Sequence, residues 1–399
     1  MSAAPPLHPK EARFYELDIL RGVAAILVVM FHYKHFMLIS DAKGFDYDHM
    51  PLGIVLMPVF SYGKYFVELF FAISGYVFFW LYAEAVRERK TSPAGFFIAR
   101  FSRLYPLYFI TLIAAAVLQA VYHRLYGGSF IYTDNTPVNF LLNLIMVQQW
   151  MPKAVLSFNG PAWSLSVEVF LYGLFFVLCY ARRNTIPILS ALVLVSIAYR
   201  VSRMDMAGDF SRGIPSFFLG ALVFYLAQAL RKPEHEALGR RIATGLMTGL
   251  PIVWGVSYVR GWRELPTVVD YSLAGYVFGV PAFLYVVVPL TLLLFGLMRD
   301  RWKTSVFSRV SLHRWSWIGD ISYSIYLLHF PLQLLIMLVL AHWPYAARAA
   351  FFGSPLVFAA FFALAIGLAW LSHRYFEMPM QRFLRGWMTR RLAKPATAG

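Results

Sequence analysis

Two ionisable side chains lie inside the first long apolar run of the sequence, LDILRGVAAILVVMFHY. Arg21 and His32 are eleven residues apart, which in a helix is about 16 Å of rise and about three turns, so they share nearly one face at different depths. An imidazole near neutrality can take a proton from a hydroxyl, as acyl transfer to an alcohol requires. A snorkelling anchor for Arg21 and a packing role for His32 are the alternatives.

A second candidate pair occurs in IARFSRLYPLY, where Arg100 and Arg103 are one helical turn apart. Two guanidinium groups on one helix face can bind phosphate oxygens in a bidentate manner. Cationic anchoring at the cytoplasmic edge of a membrane would also place arginines here. The pair therefore predicts a phosphate site or a topological anchor.

The segment GPAWSLSVEVFLY opens another apolar run and contains Trp163, Ser164 and Glu168. We expect these three residues near the non-cytoplasmic membrane edge. A glutamate one to two turns inside a span should be catalytic or paired with an Arg or Lys.

The segment GDISYSIYLLHFPL combines five polar side chains over less than three turns, namely Asp320, Ser322, Tyr323, Tyr326 and His329. This face is too polar for lipid, so it must look into the helix bundle or a wet cavity. A structural role for His329, next to the Phe-Pro step of a locally broken helix, is as good an interpretation as catalysis.

Two further segments carry structural expectations. In FFAISGYVFF, Ser74 and Gly75 interrupt an aromatic run and predict the close approach of another helix. In YFEMPMQRFLR, Glu377 is expected to pair with a nearby arginine.

The composition identifies the bilayer as the main solvent of the chain. Hydrophobic residues make up 59% of 399 positions and charged residues only 14%, against roughly 25% charged residues in soluble domains. The net charge of +16 does not indicate nucleic acid binding, because the cations lie in short loops between apolar runs. The one cysteine, Cys179, lies in an apolar run and offers neither a disulfide framework nor a thiolate metal site.

Apolar runs of about 20 residues predict an all-α, polytopic membrane bundle of about ten transmembrane helices. The predicted spans are 17–39, 63–85, 104–124, 163–181, 186–201, 213–230, 242–259, 272–298, 315–341 and 354–374. The run from Asn139 to Trp150 is too short to cross, so it is expected to be re-entrant or to lie in the interface. We expect a short N-terminal segment (1–16), one membrane domain (17–376) and a basic tail (377–399).

The loops between the predicted spans differ in charge, which predicts their orientation. Alternate loops hold clusters such as Arg87 to Lys90 and Arg182 with Arg183, whereas the opposite loops are poorer in cations and contain Asp41, Asp46 and Asp48. By the positive-inside rule, both termini should be cytoplasmic. The start of the chain has the character of a signal anchor, because its first apolar run keeps Asp18 and Arg21.

Six segments together resemble the acyltransferase-3 family of integral membrane O-acyltransferases. They are ELDILRGVAAILVVMFH, FFAISGY, ARFSRLYP, PAWSLSVE, GDISYSIYLLHFP and FEMP, and they follow the family's order from residue 16 to about 385. The resemblance implies transfer of an acyl group, usually acetyl from cytoplasmic acetyl-CoA, to a hydroxyl of an extracytoplasmic carbohydrate or glycolipid. The membrane would be the bacterial inner membrane, and no metal is expected.

Residue roles follow from this resemblance. His32 would be the essential base or acyl relay with Arg21 as its motif partner, and Glu168 is the third candidate catalytic residue. Arg100 and Arg103 would hold the CoA phosphates. The predicted substrate-binding set is Trp163, Ser164, Tyr323 and His329. Family members often carry a second acid after the WSLSVE glutamate, whereas this chain has Val169 there, so no carboxylate pair is assigned.

Two rival functions use some of the same residues. A secondary transporter or lipid-linked glycan flippase would also bury His, Arg and Glu, but it predicts inverted halves with matched broken helices, which the sequence does not show. A polyprenyl-phosphate glycosyltransferase would need an acidic loop after the first span, where Asp46 and Asp48 occur. Release of CoA by membranes that contain the protein separates the three.

Overall fold

The computed structural model describes residues 14–40, 44–151, 154–202, 210–257, 280–298 and 312–393. These residues are overwhelmingly helical, and the strands among them are one short antiparallel pair, β1 (Leu38–Ser40) and β2 (Gly44–Phe45). The predicted all-α membrane bundle is thus confirmed as a fold class. Several expectations lie outside the described residues, including those on residues 1–13, Asp41, 258–279, 299–311 and 394–399.

The first half of the chain begins with the helix that carries Arg21 and His32 and continues through shorter and longer helices in turn. These are α1 (Tyr15–His32), α2 (Gly53–Tyr62), α3 (Phe66–Leu81), α4 (Ala83–Arg87), α5 (Pro93–Tyr126), α6 (Pro137–Leu144) and α7 (Trp163–Tyr180). A 3-10 turn, Tyr33–Met37, extends α1, and two more, Gly63–Tyr65 and Gly160–Ala162, precede α3 and α7.

The second half contains the remaining long helices and the C-terminal basic helix. These are α8 (Ile186–Ser202), α9 (Phe210–Leu230), α10 (Glu236–Ser257), α11 (Val280–Met298), α12 (Leu312–Trp315), α13 (Trp317–Asp320), α14 (Ser322–Leu340), α15 (Tyr345–Phe352), α16 (Pro355–Ser372) and α17 (Met378–Ala393). A 3-10 turn, Pro233–His235, precedes α10, and a π-helical turn, His373–Glu377, joins α16 to α17.

A helix overlaps each of the ten predicted spans, although not all of these helices are long and apolar enough to cross a bilayer. Within the described ranges, six helical stretches are long and apolar enough to cross a bilayer. They are Gly53–Leu81, Pro93–Tyr126, Gly160–Tyr180, Ser211–Leu230, Ser322–Leu340 and Pro355–Arg391. Helix α1 falls short because Glu16, Asp18 and Arg21 lie in its 18 residues. The number ten stays a prediction, and α6, with 8 residues, is indeed too short to cross.

Helices α3 and α9 touch backbone to backbone. A Cβ atom built on Gly75 would lie 1.8 Å from the carbonyl oxygen of Phe217, and one on Gly220 would lie 2.0 Å from that of Ala72. Only a residue without a side chain fits at such distances, as in other small-residue helix contacts in membranes. The close approach predicted from Ser74 and Gly75 is therefore confirmed, and α9 is the partner helix.

Replacing Gly75 by valine should destabilise the protein by about 3 kcal/mol, the upper end of the usual cost of overpacking, because the obstacle is backbone that cannot rotate away. The thermal midpoint of the purified protein in detergent measures this loss. Gly245→Ala in α10 is the matched control, since a Cβ there meets nothing within 4 Å. An unchanged midpoint for Gly75→Val would contradict the α3–α9 contact.

A second glycine contact joins α1 to the short helix α13. A Cβ on Gly22 would lie 2.6 Å from the carbonyl carbon of Ile318, and one on Gly319 would lie 2.2 Å from the carbonyl oxygen of Asp18. Consequently the GDIS segment lies directly against the turn of α1 that carries Arg21. This contact positions the first part of the candidate site.

Candidate active site

A cavity of about 460 Å³ opens in the half of the bundle where α1 begins. It is lined from α1, α3, α5, α7, α14 and the segment that joins α16 to α17. Its ionisable lining residues are Asp18, Arg21, Arg100, Arg103, Glu168, Asp320, His373 and Glu377. Ser164, Tyr323 and Tyr326 also line it. The cavity therefore brings together six of the nine predicted site residues.

Arg21 is held by the GDIS segment. Its Nη2 donates to the carbonyl oxygen of Gly319 at 2.9 Å, and its Nε donates to Ser322 Oγ at 3.1 Å. Asp18, one turn earlier on α1, pairs with the same Nη2 at 3.2 Å. A fork of directed bonds of this kind suits a guanidinium better than a lysine. Arg21 is thus a fixed charge in the cavity wall and no snorkelling side chain.

Arg100 and Arg103 both line the cavity from α5, as their one-turn spacing requires. Arg100 Nη2 donates to the hydroxyl of Tyr82 at 2.9 Å, and its guanidinium carbon lies 4.7 Å from the centroid of that ring. Its Nε is buried and has no hydrogen-bond partner among the described residues. Arg103 lies within electrostatic range of Glu168 and Glu377. Arg100 and Arg103 together give the cavity a cationic wall, in which Arg100 Nε is a hydrogen-bond donor without a partner among the described residues.

Glu168 lies among the arginines of the cavity. It accepts a hydrogen bond from Tyr172, one turn later on α7, and it interacts electrostatically with Arg103, Arg100 and Arg21. The expected place for this residue was the opposite membrane edge. The structure corrects that expectation, because Glu168 and Ser164 share one cavity with the arginine pair.

Glu168 and Ser164 reach the cavity because the segment that precedes α7 is buried. Ser157 and Asn159 are each only 3% exposed, and the turn Gly160–Ala162 is buried as well. Asn159 Nδ2 donates to the carbonyl oxygen of Leu327 in α14 at 3.0 Å. Helix α7 therefore begins inside the protein, so its first turns reach the cavity.

Glu377 closes the cavity from the π-helical turn. Its Oε2 accepts a hydrogen bond from Ser324 Oγ at 2.7 Å and lies 3.3 Å from His373 Nδ1. Glu377 interacts electrostatically with Arg103, and among the described residues its ion-pair partner within 4 Å is His373. Ser324 and Glu377 thus join the GDISYS and FEMP segments in one wall.

Two tyrosines of α14 tie that helix to its neighbours. The hydroxyl of Tyr323 donates to the carbonyl oxygen of Leu104 in α5 at 2.5 Å. The hydroxyl of Tyr326 donates to the carbonyl oxygen of Pro161 and lies 2.8 Å from Ser164 Oγ. Tyr326 and Ser164 thus join α14 to the start of α7 in the cavity lining.

Three histidine rings lie next to one another near Tyr326. His329 Nδ1 donates to the carbonyl oxygen of Tyr326 at 2.6 Å, and its ring centroid lies 5.0 Å from that of His32. His32 Nδ1 in turn lies 3.2 Å from His35 Nε2. Neither His32 nor His329 is a lining residue of the cavity. Tyr326, which lines the cavity, thus contacts the histidine cluster (His32, His35 and His329) through His329.

Trp163 is the remaining predicted site residue, and it too lies outside the cavity lining. Its ring lies 4.7 Å from the guanidinium carbon of Arg212 and packs edge-on against Phe71. Arg212 forms a buried ion pair with Glu68 at 2.8 Å. The contacts of Trp163 in the structure are thus with core and ion-pair residues, and its acceptor role stays a prediction.

Residue patterns missed three members of this arrangement. His35 is three residues after His32, a spacing that places both on one helical face, and this signal was available. Gln333, which bonds both His32 and His35, belongs to an apolar stretch of α14 and gave no chemical signal. Tyr172 is a single aromatic in an aromatic-rich helix, and only the fold shows its bond to Glu168.

Comparison with known proteins identifies the class. A family model described as an acyltransferase domain matches residues 14–374, so the chain belongs to the acyltransferase-3 family, as its motifs indicated. It is 26% identical to the acyltransferase MdmB of Streptomyces mycarofaciens over 94% of each chain. It is also 32% identical to protein 2 in the picA locus of Rhizobium radiobacter, over 53% of this chain and the whole of that protein. No solved structure matches.

Proposed function

We propose that this membrane acyltransferase moves an acyl group, in the first instance acetyl, from acyl-CoA to a hydroxyl of an extracytoplasmic carbohydrate or glycolipid. One observation carries the proposal: Tyr326 lines the arginine cavity, its backbone carbonyl oxygen accepts from His329, and the His329 ring lies 5.0 Å from the His32 ring between centroids. A donor site at one end and a base at the other suit transfer between compounds from two sides of a membrane.

The donor would occupy the cavity. Its volume of about 460 Å³ lies in the usual range of small-molecule sites. Arg100 and Arg103 would bind CoA phosphate oxygens, since guanidinium groups with unused donors favour such ligands. The thioester would then extend inward towards Ser164 and Tyr326, at the end of the cavity nearest the histidines.

The transfer step follows from the chemistry of a thioester and an alcohol. His32 would take the proton of the acceptor hydroxyl as its oxygen attacks the thioester carbonyl carbon. A new C–O ester bond forms and the C–S bond breaks. The proton then passes from His32 to the departing CoA thiolate. Glu168, held by Tyr172 among three arginines, would balance the cationic charge near the donor, and Tyr323 and His329 would border the path of the acyl group.

In this scheme both termini face the cytoplasm, and the membrane is the bacterial inner membrane. Asp18 and Arg21, near the start of α1, line the arginine cavity, so with a cytoplasmic N-terminus it would receive CoA from the cytoplasm. His32 ends α1 at the other side of the bundle, where the acceptor would arrive. Membrane lipids are the surrounding solvent of the helices.

The test uses the purified protein in nanodiscs with acetyl-CoA labelled in the acetyl group. We expect release of free CoA that depends on an added cell-envelope glycan fraction, with label recovered on that fraction as an alkali-labile ester. Mass spectrometry of surface glycans from cells with and without the protein identifies the acceptor. Movement of a glycolipid across vesicles with no CoA release would instead support a flippase.

A further inference from the structure

We infer that His35 and Gln333 are positioning residues that fix the proton of His32 on Nδ1 and leave its Nε2 as the base. The inference rests on the proposed function, because it assigns the reactive atom of the proposed base. Neither residue belongs to the sequence motifs discussed above. Both are buried directly behind His32, with His35 3% and Gln333 0% exposed.

The first step concerns the amide of Gln333. Its Nε2 donates to the backbone carbonyl oxygen of His32 at 2.8 Å. A carbonyl oxygen can only accept, so the NH2 group of the amide must face it. The other atom, Oε1, therefore faces His35 Nδ1, at 3.1 Å. The orientation of this amide follows from its contacts and leaves no second assignment.

The second step concerns the ring of His35. Because the amide oxygen of Gln333 only accepts, His35 Nδ1 carries a hydrogen. The ring contacts the aromatic rings of Phe130, Tyr132 and Phe330, with centroids 6.0 to 6.3 Å away, and no carboxylate of the described residues pairs with it. A buried imidazole without a counter-charge is neutral, so its Nε2 has a lone pair and no hydrogen.

The third step reaches His32. Its Nδ1 lies 3.2 Å from His35 Nε2, and because that atom is an acceptor, His32 Nδ1 is the donor. In a neutral imidazole, the second nitrogen is then unprotonated. His32 Nε2 has no hydrogen-bond partner among the described residues, and His32 is partly exposed. This series of hydrogen bonds thus leaves the lone pair of His32 Nε2 available to accept a proton from a hydroxyl.

This arrangement does for a neutral base what the third member of a hydrolase triad does for its histidine, which is to select tautomer and ring orientation. His35 touches neither substrate in the proposed reaction, so it acts only through His32. The outer partners of metal-ligating histidines, which also fix a tautomer, typically contribute tenfold to a hundredfold to metal affinity or activity, and we expect a comparable effect here.

The kinetic test compares His35→Leu, His35→Gln and Gln333→Leu. His35→Leu and Gln333→Leu should lower kcat at least about tenfold with little change in the KM for acetyl-CoA, since the arginine cavity is untouched. In His35→Gln, the amide oxygen can still accept from His32 Nδ1, so most of kcat should return. Thermal midpoints and acetyl-CoA binding identify any variant that is misfolded.

A spectroscopic test needs no turnover. Solid-state 15N NMR of histidine-labelled protein in bilayers, with His32 assigned by comparison with His32→Ala, should show a protonated Nδ1 and an unprotonated Nε2. His35→Leu should produce a mixture or the reverse. The opposite tautomer in the natural protein, or full kcat in both leucine variants, would overturn the inference. Full activity of His32→Ala would instead overturn the proposed role of His32.

Discussion

Replacing His32 by alanine should reduce acetyl transfer at least about a hundredfold, because a positioned general base contributes about 10²–10⁴ to such reactions. The ring has its neighbours at His35 and His329 and lies outside the cavity lining. Binding of acetyl-CoA should therefore remain within about twofold of the natural protein, far below the effect of one lost charged hydrogen bond. Labelled acetyl transfer and equilibrium binding, measured on the same preparation, check both parts.

His123→Ala is the control for this variant. His123 lies near the end of α5, is exposed, and is not a lining residue of the cavity. Its loss should leave both transfer and binding unchanged. Transfer by His32→Ala at a tenth or more of the natural rate would show that the proton goes elsewhere, and His329, 5.0 Å away between ring centroids, would be the next candidate.

The helices were largely predictable from sequence because hydropathy reports burial in lipid directly. A helix overlaps each predicted span, and the ranges for α7 and α16 agree within a few residues. Helix α1 is the exception, because hydropathy alone does not identify it as a span. Its Glu16, Asp18 and Arg21 lower the apolar character of an 18-residue helix, yet the same charges identify it as functional.

The cavity was less predictable, because it depends on where helices begin and not on which residues they contain. Hydropathy shows only that the run from Asn139 to Trp150 is too short to cross, whereas Gln148, Gln149 and Asn159 are each no more than 6% exposed. That buried segment moves Glu168 to the arginines. Likewise, the bond of Ser324 to Glu377 joins residues 53 positions apart, and no local pattern contains such information.

The sequence predicted that Arg21 and His32 lie at different depths on one helix, but it did not predict which of them lines the cavity. Arg21 and His32 lie on one helix as expected, but of the two only Arg21 lines the cavity, and the histidine cluster contacts the cavity wall at Tyr326. Their spacing is therefore useful as a distance between a donor site and a base. The GDISYSIYLLHFPL segment serves both ends, because Ser322 bonds Arg21 and His329 lies beside His32.

Replacing Arg100 and Arg103 together by leucine should weaken acetyl-CoA binding at least about a hundredfold. A hydrogen bond to a charged group contributes about 1.5–3 kcal/mol, and each 1.4 kcal/mol is about tenfold in affinity. Both guanidinium groups line the cavity, so both should contact the phosphates. Arg382→Leu with Arg385→Leu is the matched control, since these arginines of α17 have the same spacing, are exposed and are absent from the lining.

A second donor makes this test specific for phosphate. S-Acetylpantetheine has the thioester but none of the CoA phosphates, so the natural protein should bind it far more weakly than acetyl-CoA. If the arginines bind phosphate, the double variant should lose that preference, because the two changes remove the same interaction and their effects should not add. A preference that survives the double replacement would mean that Arg100 and Arg103 anchor the helix and that the phosphates bind elsewhere.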